Sequence, residues 1–457
     1  MRVLLAVHGF LPDCRAGTEI LTLTTATRLQ QRGHEVLVYA AYPGAPDLPD
    51  AQRFDSYTYE SVPVARFHHA KVPMGGQRNI LELEYENRLV ATDFLRRLAA
   101  FAPDVVHFFH LQKLSSAVID ACDAAGVPTV FTPTDFWVVC PFFQLRLPDG
   151  SPCGGPSPLA INCVRHAAAV AAPERGGLWA ARVPDALLRV LIRACRSWPF
   201  DGSRTVNQVA AVSRRPEFLR QRLNRLDRVA VPSKAMLDTL LSFGLEAHRA
   251  RLVPFGVDID APPRQRPLRA GHLTLGFIGT LSRAKGLHVL LTAIRSTPDA
   301  PLILRVYGAP AGDSTYARQA HELAGDDSRI EFRAPFPNAD IGAVLGELDA
   351  LVVPSTWSEN TPLVVYSAQA AGCPVLASDV PGLAEIVAHG HNGLLFAAGD
   401  SSALASCIGC LLQERGLLRR LADNRPPART GADYVSDLLA LYADLARTRP
   451  LAGPPGQ

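Results

Sequence analysis

Residues 353–382 read VPSTWSENTPLVVYSAQAAGCPVLASDVPG, and the order of elements in that stretch decides the fold. Ala350 to Val353 is an apolar run of strand composition that Pro354 and Ser355 stop. A helix is expected from Pro362, because Thr361 can cap it with its hydroxyl and Pro at the first helical position gives up no needed donor. Gly372 is the natural terminator, and Pro374 to Ser378 has the composition of the next strand. This order places the free N–H groups of residues 361–364 at the carboxyl edge of a parallel sheet. A helix amino end there is a seat for phosphate.

Working outward, the chain alternates strand and helix. Val3 to Val7 leads into a loop holding Gly17, then a helix to about Gln31 that Gly33 closes, and a strand at Glu35 to Ala40. Further helices are expected at Leu81–Ala100 and Ser115–Ala125, with strands at Val105–Phe109 and Thr129–Pro133. A second series begins at Leu273, with strands at Leu273–Ile278, Leu302–Tyr307, Ile330–Ala334, Ala350–Val353 and Val375–Ala377. Such alternation means doubly wound parallel sheets with ligands at the carboxyl ends of their strands. Residues 140–205 break the rhythm and read as a Cys-rich, helical insertion. The segment 261–269, holding three Pro and three Arg, reads as an interdomain linker, and 449–457 as a disordered tail.

At 457 residues and 48% hydrophobic composition the chain can build two full cores. A net charge of +3 argues against general nucleic-acid binding. Only four Lys (Lys71, Lys113, Lys234 and Lys285) stand against 42 Arg, so a Lys inside a motif draws notice. The N-terminus MRVLLAVHGFLP lacks a cleavage site and reads as a first strand rather than a leader. No apolar run approaches a bilayer span. A cytoplasmic protein with nine reduced Cys is expected.

One Glu before one helix is an ordinary solvated carboxylate, but Trp357, Glu359, Pro362, Gly372, Pro374 and Val375 stand together in register. The run resembles the donor-site motif of retaining family-4 glycosyltransferases, P-S-x-W-x-E-x-x-P with a second Glu eight residues after the first. The resemblance implies a GT-B fold: two Rossmann-like doubly wound parallel-sheet domains facing a cleft. Residues 1–262 would form an acceptor-side domain, 270–431 a nucleotide-sugar-binding domain, and 432–448 a helix packing back on the first. It further implies a nucleotide diphosphate sugar donor and transfer with retention to a glycan or lipid-linked glycan, as in bacterial surface polysaccharide synthesis. No cofactor is required in that chemistry.

By the same resemblance Glu359 is the catalytic carboxylate and Lys285, in Phe277 to Gly286, the cation that steadies the leaving diphosphate. Arg283 would assist it, although a solvated turn residue is its plain reading. Gly279, Thr280, Asn360, Thr361, Pro362 and Leu363 would hold the donor, with Gly17 of the first domain. Thr134 and Asp135 would line the sugar pocket. Three positions depart from the pattern: Ser367 stands where the family has its ribose-binding Glu, Thr280 where it has Arg, and Thr134 where it has His. They motivate a second reading, a non-catalytic GT-B subunit that binds a glycan or a partner transferase. His107 and His110 read as structural.

Two features lie outside the resemblance. Cys140, Cys153, Cys163 and His166 are acceptable zinc ligands in a loop poor in apolar residues, so a structural zinc is one expectation and a set of unrelated reduced thiols the other. Leu187 to Trp198, LLRVLIRACRSW, is a basic amphipathic helix. It would either rest on anionic lipid at the inner face of the plasma membrane or pack on the first domain with its Arg in water.

Overall fold

The computed structural model describes residues 1–171, 182–197, 203–260, 271–310, 315–414 and 416–448. The expected linker at 261–269 and the tail at 449–457 lie outside them. Two compact units are present. The first contains the described residues of 1–232, 236–253 and 435–448. The second contains 233–235 and 254–434.

The first unit is built on eight strands: β1 Arg2–Val7, β2 Glu35–Pro43, β3 Phe54–Tyr59, β4 Val62–His69, β5 Val105–Phe108, β6 Thr129–Phe131, β7 Arg228–Val231 and β8 Ala250–Leu252. Their order is β3-β4-β2-β1-β5-β6-β7-β8, parallel throughout except for the β3–β4 pair. That hairpin is absent from the sequence expectation. Its two-residue turn is Glu60-Ser61, both at positive φ (45° and 68°), the geometry that fits a twisted hairpin but is ordinarily announced by Asn or Gly. The expected helix at Leu81–Ala100 is two helices, Ile80–Leu83 and Arg88–Phe101, because Asn79 and Asn87 each turn a side-chain oxygen onto the N–H groups that follow.

The second unit has six parallel strands: β9 Leu273–Ile278, β10 Leu302–Tyr307, β11 Ile330–Arg333, β12 Ala350–Val353, β13 Val375–Ser378 and β14 Gly393–Phe396, in the order β11-β10-β9-β12-β13-β14. Alternate residues of the central strands feed different cores. Val352 and Leu376 join Leu275 and Phe277 on one face, while Leu351, Val353, Val375 and Ala377 pack with Leu345 and Val365 on the other. Both faces of the sheet are therefore covered, as a doubly wound sheet requires.

One device recurs in both sheets. Asp104, Asp227 and Asp349 each stand one residue before a strand and accept the N–H of Arg2, Thr129 or Thr274 on the neighbouring strand, at 2.7, 2.8 and 2.8 Å. Asp349 is 1% exposed, so its charge is tolerated only because those bonds replace water. Each such carboxylate pins the register of two parallel strands at their amino ends, leaving the carboxyl ends to carry loops.

In the first unit the imidazole of His107, on β5, bridges Tyr442 Oη and Thr132 Oγ1. Burial pushes its pKa down to about 3. The unfolded chain takes up this proton near the ordinary value and the folded chain does not, so the stability it confers is complete above pH about 6.5 and is lost as pH falls toward 3. His107→Gln should lower the melting temperature at neutral pH and make its fall between about pH 6 and 4 shallower than in the parent. Thermal unfolding followed by circular dichroism across that range checks both; parallel acid limbs would refute the assignment.

Candidate active site

In the second unit the loop after β12 turns Glu359 inward, 4% exposed. Its Oε1 accepts three hydrogen bonds: from Lys285 Nζ at 2.6 Å, Ser355 Oγ at 2.6 Å and Trp357 Nε1 at 2.9 Å. The Lys285 ammonium also lies 5.5 Å from the centre of the Trp357 ring. A carboxylate withdrawn from water is affordable here because charged and neutral donors meet it together. The result is a fixed anion–cation pair from two distant stretches of sequence.

Glycines let those stretches meet. Gly286, at φ 72°, closes the short turn Arg283–Lys285, and a Cβ on it would fall 1.8 Å from the Pro354 carbonyl oxygen. A Cβ on Gly382 would fall 1.8 Å from the carbonyl oxygen of Glu359 itself. Thr356 Oγ1 adds a bond to the Arg283 carbonyl at 3.2 Å.

The helix that follows is Leu363–Ala370, with Pro362 as its cap residue. The expected cap, Thr361, instead donates its hydroxyl to the Asn360 carbonyl at 2.5 Å. The first turn is thus left without a side-chain cap, and its leading N–H groups keep their capacity to donate. Asn360 and Thr361 are buried beside it. Gly372 ends the segment at φ 66°, as expected.

Ser367 is buried within this helix and donates to the Leu363 carbonyl at 3.1 Å, a bond one turn back along its own helix. Thr280, after Gly279 at the end of β9, is exposed. Arg283 is exposed too, and its guanidinium has no hydrogen-bond or ion-pair partner among the described residues. The structure therefore gathers Lys285, Glu359, Asn360 and the helix start, and leaves Arg283 at the rim.

In the first unit Gly17 begins the helix Gly17–Gln31, and Glu19 folds back to accept the Ala16 N–H at 3.0 Å. Thr134 donates to the Phe109 carbonyl at 3.2 Å. Asp135 accepts the Trp137 N–H at 2.8 Å and lies 2.9 Å from His110 Nε2. His110 packs against His8 with ring centres 4.2 Å apart, and His8 Nε2 lies 3.4 Å from Glu19. Burial, with His110 and Lys113 close by, holds His8 well below the usual imidazole range, and burial raises Glu19. The sequence reading overlooked His8 and Glu19. Their only signal was position: a His at the end of β1 and a Glu two residues past the Gly of the next helix.

Of the two expectations for the Cys-rich loop, the geometry gives no support to a gathered set of zinc ligands. Among the described residues no three His, Cys, Asp or Glu side chains could together hold a metal ion. The His166 ring stacks on Phe142 at 3.9 Å, where it serves packing. Cys140 and Cys163 are buried, and burial with the neighbouring thiols pushes Cys163 up to about 12. Asn162 orders the loop instead: its Nδ2 donates to the Gly155 carbonyl at 2.9 Å and its Oδ1 accepts the Ser157 N–H at 2.9 Å. Beneath it, buried Arg215 donates to the Trp137 carbonyl and lies 4.8 Å over that indole ring.

Residues 15–261 match the family described as Glycosyltransferase Family 4, and residues 272–414 the one described as Glycosyl transferases group 1. This chain belongs to glycosyltransferase family 4. Among its relatives within curated proteins is the D-inositol 3-phosphate glycosyltransferase of Corynebacterium urealyticum, 32% identical over 237 residues, covering 46% of this chain and 55% of that one. The enzyme of that name from Nocardia farcinica is 33% identical over 198 residues, covering 39% and 43%. The chain spans about half the length of the curated relatives it matches. The GT-B fold of the family is shared with Anabaena HepE, solved with UDP and glucose (TM-score 0.60, 19% identity, 99% and 100% covered). It is shared also with WaaG, a glycosyltransferase involved in lipopolysaccharide biosynthesis (TM-score 0.55, 18% identity, 98% and 100% covered).

Gly286→Ala should cost this family member about 3 kcal/mol or more, since the new methyl meets backbone oxygen and the backbone is left-handed there. Urea unfolding measures it. A loss of under about 1 kcal/mol would mean that the turn can shift away from Pro354.

Proposed function

We propose that the chain transfers a sugar, with retention, from a nucleotide diphosphate sugar to an acceptor hydroxyl. The observation that carries this reading is the Lys285–Glu359 pair beside the uncapped start of Leu363–Ala370. A donor diphosphate at that helix start would draw Lys285 away from Glu359, because two negative charges offer the ammonium more than one does. Glu359 would keep Ser355 and Trp357 as donors, and so stay aimed at the sugar. Positive charge from Lys285 and the helix terminus would then stabilise the leaving diphosphate, and attack by the acceptor from the same face needs no protein nucleophile. Gly279, Thr280, Asn360, Thr361 and Leu363 border the donor in this reading.

The acceptor is read as a glycan or lipid-linked glycan of the bacterial surface, met at the inner face of the plasma membrane. The names of the curated relatives support a different acceptor, an inositol phosphate. A turnover assay with each class separates them.

Ser367 favours the second reading, a non-catalytic subunit. Its hydroxyl is committed to the Leu363 carbonyl, and a short neutral side chain cannot span both hydroxyls of a ribose. Losing such a contact costs about 1–3 kcal/mol. Stabilisation by UDP or another nucleoside diphosphate in thermal unfolding is expected of the transferase, whereas no shift with any base would leave the non-catalytic reading standing.

Glu359→Gln should depress turnover by about tenfold or more while the protein stays folded and nucleotide still binds. Unchanged turnover in a competent assay would remove Glu359 from the site. Ser367→Glu should lower thermal stability and weaken nucleotide binding, because a longer, charged side chain would lose water at this buried position. Tighter binding in calorimetric titration would show that the ribose contact can be restored.

A further inference from the structure

Helix Asp185–Ser197 sits in the insertion of the first unit and packs on helix Arg204–Leu223 and helix Ile161–Ala171. Only Leu188 and Ile192 of its apolar residues are buried there, in a small cluster with Ile161, Val164 and Val212. Leu187, Val190 and Leu191 stay 51%, 61% and 41% exposed, and Val170 on the adjoining helix 57%. Scattered exposed apolar residues are ordinary, but four of the nine large ones among the described residues lie on these two adjoining helices.

Their arrangement is ordered. At about 100° per residue, Val190, Ala194, Leu187 and Leu191 form one continuous exposed arc, bordered on one side by Arg189 and Arg193 and on the other by the buried contact. The exposed arc carries no acid: Asp185 lies outside it and is engaged by Arg165 at 2.8 Å. No helix among the described residues is long and apolar enough to cross a membrane.

We propose that this helix is a docking surface for an anionic lipid bilayer, lying in the plane of the headgroups with Leu187, Val190 and Leu191 inserted and Arg189 and Arg193 on lipid phosphates. Charge complementarity selects this occupant. An apolar strip with Arg along one edge and no acid within it suits an anionic surface, where each Arg contributes attraction and each apolar side chain adds buried area. The docking stands apart from the transferase reading, because it would hold equally for a non-catalytic subunit.

The full-length protein, mixed with vesicles of phosphatidylcholine alone or with added phosphatidylglycerol, should pellet with the anionic vesicles at low salt and less as salt rises. The triple variant Leu187→Gln, Val190→Gln, Leu191→Gln should lose pelleting, and Arg189→Gln with Arg193→Gln should weaken it by about thirtyfold. All these residues are exposed, so unchanged thermal unfolding verifies that the variants are folded. Absence of parental pelleting with anionic vesicles at low salt, or equal pelleting by the triple variant, overturns the proposal. A dimer seen by ultracentrifugation and abolished by the triple variant, without vesicle binding, overturns it in favour of a second copy.

Discussion

The second unit depends on a close approach of backbones. Peptide groups at Pro354 and Glu359 are pressed by Gly286 on one side and Gly382 on the other, at separations that exclude any side chain. This sets the path of the loop between β12 and its helix. It brings Ser355 Oγ and Trp357 Nε1 onto one oxygen of Glu359, and puts the Arg283–Lys285 turn near enough for the ammonium to reach the same atom. Ser355 and Trp357, on the same loop as Glu359, thus hold the carboxylate from close by in the chain, and Lys285 meets it from the neighbouring turn.

The first unit organises its polar groups differently. Half-buried His8 and Asp135 and buried Glu19 and His110 form a chain in which each member faces another ionisable group at 3.4 Å or less, or ring against ring. Burial disfavours charge on His8 and Glu19 alike, whereas Lys285 and Glu359 meet directly as an ion pair at 2.6 Å. The register-setting Asp104, Asp227 and Asp349 confine their charges to the amino ends of strands. Functional loops at the opposite ends are relieved of holding the sheets together.

Where sequence reading erred, local signals were outweighed by wider contacts. Thr361 has the chemistry of a cap, yet Pro362 takes the cap position and the hydroxyl turns to the Asn360 carbonyl. Cys140, Cys153, Cys163 and His166 could be read from sequence either as zinc ligands or as unrelated groups; in the fold the His166 ring stacks on Phe142, and Asn162 supplies bonds that order the loop. The β3–β4 hairpin was hidden because Glu60 and Ser61 adopt positive φ without being Asn or Gly. Composition could not reveal that cost, which the surrounding sheet absorbs.

The sequence by itself determined the alternation of strands and helices, the parallel sheets and the family. These follow from short-range patterns: apolar runs of strand length, Gly and Pro at their boundaries, and a motif whose residues lie within one βαβ stretch. Glu359 and Lys285 were legible for the same reason, each lying in its own local motif. Only the tertiary structure decided that they bond to one another across 74 positions, and that Ser367 is spent on its own helix. It also decided that His8 and Glu19 join His110, and that a helix of the insertion leaves its apolar side uncovered. Each of these depends on which surfaces meet once both sheets have folded, and pairing between distant segments leaves no trace in either segment alone.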